Sequence, residues 1–139
     1  MAIDPEKVLK MQQEHQEHEV GDLWAPLLHF NLDSEIRQLR AEGRWQSGHT
    51  AKTLLKYDDL RVVLIAINAG GQLVQHQTEG RITVHALSGH IRFNAAGKGV
   101  ELSAGSMLAL EHGVPHSVEG IVDSAFLLTI AWPGAPSGR

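Results

Sequence analysis

The sequence contains no cysteine, so disulfides, thiolate metal sites and cysteine nucleophiles are excluded. It lacks an excess of positive charge as well. With 12 Lys and Arg against 16 Asp and Glu, the formal net charge is −4, which gives no electrostatic reason to bind nucleic acid. No apolar run approaches the ~18 residues that a membrane-spanning helix needs. The opening Met1-Ala2-Ile3-Asp4-Pro5-Glu6 has neither the basic nor the apolar region of a secretory leader, so a cytoplasmic protein is the expectation. The serines at 47, 88, 103, 106, 117 and 124 fall in turns or strand ends without a glycine elbow. There is no Gly-x-Gly-x-x-Gly or P-loop pattern, no internal repeat and no low-complexity tract.

What is present is an ordinary globular composition in 139 residues, 42% hydrophobic and 20% charged. That length fits one domain with a real core. Nine histidines stand out, because histidine is the commonest metal ligand and the usual base near neutral pH.

Residues 1–48 read as a helical extension. Pro5 suits the first turn of a helix over 6–19, which Gly21 ends. A second helix starts at Asp33 or Ser34, places Ile36, Leu39 and Arg40 on one face and stops at Gly43. Between them, Leu23-Trp24-Ala25-Pro26-Leu27-Leu28-His29-Phe30 reads as a docking segment. Residues 49–132 change texture to short strands separated by glycine-bearing turns. Strands are expected at 50–57, 60–68, 72–77, 82–87, 90–94, 100–102, 107–110, 116–118 and 125–132. Gly97-Lys98-Gly99 reads as a hairpin turn, and 133–139 as a frayed tail. Such spacing predicts an all-β sandwich or barrel, and the regular turns point to antiparallel pairing with closure, which removes exposed edges.

Two segments carry a resemblance. One is Gly70-Gly71-Gln72-Leu73-Val74-Gln75-His76-Gln77-Thr78 with Ile82 to Gly89; the other is Gly105-Ser106-Met107-Leu108-Ala109-Leu110-Glu111-His112-Gly113-Val114-Pro115-His116. Together they resemble the two signature motifs of the cupin superfamily. The first family motif places a glycine, His-x-His, a glutamate and a closing glycine. The second places a glycine, Pro-x-Gly, a histidine and an asparagine. The resemblance implies a double-stranded β-helix, or jelly-roll, barrel. It also implies a divalent ion (iron, manganese, nickel, zinc or copper) held by three histidines and a carboxylate. His76 matches the first histidine and His116 that of the second motif, so these two are the candidate metal ligands. Thr78 stands at the second histidine and Ile82 at the glutamate. With His76 and His116 they are the candidate ligand-binding set, but a hydroxyl and an alkyl group are poor or impossible ligands. Glu111 replaces the family's proline and Gly120 its asparagine, read as a loosened turn.

Other histidines are weighed by position. His85 lies three residues beyond Ile82, so alternation turns it to the opposite face. His112 and His49 could line the barrel mouth, and Glu79 could swing in from its turn. Gln75 and Gln77 have outward parity. His15 and His18 share a helix face without a third ligand in view. Trp24, Trp45 and Trp132 read as packing residues. The run Ala125-Phe126-Leu127-Leu128-Thr129-Ile130-Ala131-Trp132 is apolar on both faces, so its outer side needs cover from the N-terminal segment or a second subunit, and a homodimer is expected. Two functions stay open: a metal-free binding or sensing barrel whose histidines contact a small anionic or polar ligand, or a metal-dependent enzyme of the dioxygenase or isomerase type acting on a small organic molecule. Thr78 and Ile82 favour the first.

Overall fold

A computed structural model describes residues 23–132. The helix expected over 6–19, with His15 and His18, and the tail at 133–139 lie outside the described residues. The order is helix α1 (Leu32–Glu42), then β1 (His49–Lys56), β2 (Leu60–Ile67), β3 (Gln72–His76), β4 (Arg81–Ser88), β5 (His90–Ala95), β6 (Lys98–Ser103), β7 (Met107–Leu110), β8 (His116–Gly120) and β9 (Ser124–Ala131). These strands form a five-stranded sheet, β1-β2-β9-β4-β7, and a four-stranded sheet, β3-β8-β5-β6, paired antiparallel throughout. This is the jelly-roll barrel that the cupin resemblance implies, built on the all-β pattern of the turn spacing.

Alternation places the core between the sheets. In β4, Ile82, Val84 and Ala86 are buried, while Thr83, His85 and Leu87 are half-buried on the other face. The β2 run is buried on both sides. Val63, Ile65 and Ile67 join Phe93, Phe126 and Ile130 inside the barrel. Leu64 and Ala66 instead meet Leu54 and Leu39 beneath the helix, with Phe30, Leu32, Ile36, Trp45 and Leu127 around them. The apolar outer face of β9 is thus met, at Leu127, by this chain's own N-terminal segment.

Helix α1 begins two or three residues earlier than expected. Asn31 is its N-cap, and the Asn31 side-chain oxygen accepts from the Ser34 amide at 3.0 Å. Asp33 and Ser34 therefore lie inside the first turn. Asp33 there complements the positive end of the helix. Upstream, the docking segment holds by its backbone: the Leu23 carbonyl accepts from Lys56 N and the Ala25 carbonyl from the Tyr57 hydroxyl. Trp24, expected to pack, is 62% exposed. Trp45 and Trp132 do pack, each with an arginine guanidinium over its ring (Arg40 and Arg61). The β5–β6 hairpin turns at Ala96 and Gly97, both at positive φ, and Lys98 already pairs with Ala95. The turn therefore sits one residue earlier than Gly97-Lys98-Gly99 suggested.

Gly120 corrects another reading. It is buried, and a Cβ there would stand 2.4 Å from the Asn68 carbonyl oxygen. Close backbone approach, not a loosened turn, explains the missing side chain. Glu111 is indeed in an exposed turn, where it pairs with Arg81 at 2.7 Å and with His112 at 3.1 Å.

Candidate ligand site in the barrel

His76 and His116 come from adjacent strands and sit directly opposite each other in the β3–β8 register. Their rings are 4.0 Å apart, centre to centre, tilted by 60°. Getting both inside requires an irregularity. Leu73 and His76 line the same cavity although three residues separate them, an odd spacing that strict alternation would send to opposite faces. The β3–β8 register shifts between them, and the extra residue of this bulge turns His76 inward. His116 needs no such device, since His116, Val118 and Gly120 alternate as buried positions along β8.

The His116 imidazole is firmly set. It is 2% exposed and stacks on Phe93 at 5.3 Å with a 15° interplanar angle. Its Nδ1 lies 3.0 Å from the Val114 carbonyl oxygen. A carbonyl only accepts, so Nδ1 carries the proton and Nε2 keeps its lone pair. The Nδ1 of His76 makes the matching approach to the Val74 carbonyl at 3.2 Å. Burial holds the His116 pKa below the ordinary histidine value, and the Val114 carbonyl, which favours the protonated ring, only partly offsets this. His116 is therefore neutral at pH 7.

Around the pair the wall is apolar: Ile65, Leu73, Val84, Phe93, Phe126 and Leu128 are among its members. The space left open to the centre of a water molecule is about 20 Å³, room for about one ordered water. His49 also lines this cavity, 5% exposed, with its pKa pushed down by burial. It is thus an inner-wall residue rather than a mouth residue. His49 and Ala51 share one face of β1, a parity that the sequence already carried.

The other candidates are elsewhere. Thr78 is buried, but its hydroxyl donates to the Gly80 carbonyl at 3.1 Å and it does not line the cavity. Ile82 is 2% exposed in the core, also outside the cavity wall. Glu79 and His112 are exposed, and His85 keeps the opposite face that parity assigned. Among the described residues no three His, Cys, Asp or Glu side chains stand close enough together to hold a metal ion. Two imidazoles without a carboxylate leave a divalent charge unneutralised inside an apolar wall. The residues present do not fit the metal that the family pattern implies.

No protein family's sequence profile matches the chain, and no curated protein sequence does. Its fold does have relatives. A conserved Streptococcus pyogenes protein of unknown function superposes with a TM-score of 0.66 at 19% identity, covering 82% of this chain and 95% of that one. A cupin superfamily protein of Desulfitobacterium hafniense gives 0.65 at 15% identity, covering 81% and 97%. Salicylate 1,2-dioxygenase from Pseudoaminobacter salicylatoxidans, with gentisate adducts, gives 0.61 at 18% identity, covering 70% of this chain and 30% of that one. The chain has the cupin fold, in the form of a small single barrel. Identities this low establish the fold alone.

Proposed function

We propose that the protein binds a small, uncharged molecule inside the barrel, gripped by His116 and His76. The observation that carries the reading is the His116 ring, buried, neutral, fixed in one tautomer and facing an apolar cavity beside a second imidazole. An Nε2 lone pair in such surroundings is an acceptor for a hydroxyl or N–H donor. An anion would offer it only further acceptors, in a wall that cannot solvate charge. With room for about one water, a ligand of more than a few heavy atoms must push side chains at the mouth aside. Thr78 and Ile82 do not line the cavity and take no part in the grip.

A thermal-shift screen of small alcohols, phenols and amides tests this. Binders should raise the Tm of the wild type and have no effect on His116→Asn. A panel that never moves the wild-type Tm, or moves both proteins equally, would overturn the reading. The competing reading, a metal-dependent enzyme of the dioxygenase or isomerase type, draws its support from the paired imidazoles and their carbonyl-oriented Nδ1 atoms, and the missing carboxylate and third ligand stand against it.

A homodimer and a cytoplasmic location belong to the proposal on sequence grounds. Trp24, Leu27 and Met107, 62%, 83% and 63% exposed, are the most exposed of the large apolar side chains among the described residues that a partner could cover, and sedimentation velocity checks the dimer. No helix among the described residues is long and apolar enough to cross a membrane.

A further inference from the structure

The cavity has a third imidazole, and it comes from the opposite sheet. His49 opens β1, is 5% exposed and lines the cavity shared by His76 and His116. Its Nδ1 stands 3.1 Å from the Gln72 carbonyl oxygen. That oxygen can only accept, so Nδ1 holds the proton and Nε2 is left as an acceptor. Nε2 is buried and has no hydrogen-bond partner among the described residues. A buried acceptor in that state is disfavoured until a donor meets it, and each such atom calls for an explanation. The hydroxyls of Thr50 and Thr53 are also without partners, but neither residue lines the cavity.

His49 acts at a different level of the barrel from the histidine pair. Its carbonyl partner Gln72 is opposite Glu119, whereas His76 is opposite His116. Three residues of β8 separate these rows, about 10 Å along the strand. Leu73, Val118 and Phe93 lie among the wall residues of the same cavity. The backbone rows that hold His49 and the histidine pair therefore stand at two levels of a largely apolar wall.

We propose that His49 is a second ligand contact, its Nε2 accepting a hydrogen bond from a hydroxyl at one end of a molecule whose other end reaches His116; such a molecule exceeds the space for about one water, so side chains between the two histidines must part to admit it. This rests on the barrel-binding reading above. The ligand class that follows is an uncharged molecule with a donor at each end and an apolar middle. A carboxylate at either end is disfavoured, because it brings acceptors to acceptors. A resident water offers the same O–H donor, and the two sources can be told apart.

The probes are α,ω-diols from ethane-1,2-diol to hexane-1,6-diol, each compared with the monoalcohol and the carboxylate of the same chain length. Histidine ring ¹H–¹⁵N spectra of the full chain report which Nε2 atoms are engaged. At least one diol should bind about 3- to 10-fold more tightly than its monoalcohol and shift the ring signals of both His49 and His116, while its carboxylate counterpart binds more weakly than either. In His49→Asn, whose amide can still donate to the Gln72 carbonyl but which has no Nε2, that diol should fall to the level of its monoalcohol. If the advantage persists in His49→Asn, or if diols shift His116 but leave His49 unchanged, His49 meets only water or nothing and the inference is overturned. If no probe shifts His116, the barrel-binding reading itself fails. The wild-type His49 signal decides the matter even should His49→Asn not fold.

Discussion

The two sheets of this barrel spend their side chains differently. The five-stranded sheet is built largely from eight-residue strands, and at β2 it buries both faces, Val63, Ile65 and Ile67 inward and Leu64 and Ala66 under α1. The four-stranded sheet has strands of five and six residues. Its edge strand β6 is exposed except at Leu102. Yet it is this thinner sheet that supplies His76 and His116. The covered sheet provides the stable wall. The other, with one wet face, can tolerate the β3 bulge and the inward polar groups that a site requires.

Side-chain truncations should break that comparison most visibly. Leu64→Ala, removing a fully buried side chain beneath the helix, should cost about 2–5 kcal/mol in urea unfolding. Val100→Ala on β6, 40% exposed, should stay within about 0.5 kcal/mol. Equal costs would mean that the two sheets are not distinct in packing. Between these extremes, Gly120→Ala should cost about 1–3 kcal/mol by overpacking, because the added Cβ meets the Asn68 carbonyl at 2.4 Å.

Acidification probes the polar side of the same comparison. His49 and His116 both have pKa values below 6.5, chiefly from burial, with carbonyl contacts partly opposing it. The unfolded chain takes up these protons near the ordinary value of about 6.5, and the folded barrel only at lower pH. Their contribution to stability is therefore complete above that value and is lost as pH falls below it. Thermal unfolding between pH 8 and pH 5 should show this decline, with a shallower slope in His116→Asn and His49→Asn. A slope unchanged in both variants would show that neither ring is held neutral by the fold.

Much of this was legible in the sequence. Strand positions followed from glycine punctuation and hydrophobic alternation, and the outward face of His85 followed from parity alone. The cupin-like motifs pointed His76 and His116 inward together. Alternation from Leu73 would have sent His76 outward, because a bulge leaves no mark in a residue pattern. The place of His49 is hidden for a different reason. Its shared face with Ala51 could be read, but its level in the barrel depends on pairing with strands far away in sequence. Asn31, Asp33 and Ser34 offer equally good capping chemistry, and only the geometry of the first turn decides among them. The role of Gly120 depends on the Asn68 backbone, 52 positions away in number, a contact no local pattern encodes.

The most direct test of the barrel as a site for an uncharged ligand is the metal content of untagged protein, purified without chelator and then offered iron, manganese, nickel, zinc and copper in turn. An imidazole pair without a carboxylate should retain far less than one equivalent of each after desalting. Stoichiometric metal that disappears in both His76→Ala and His116→Ala would contradict the account.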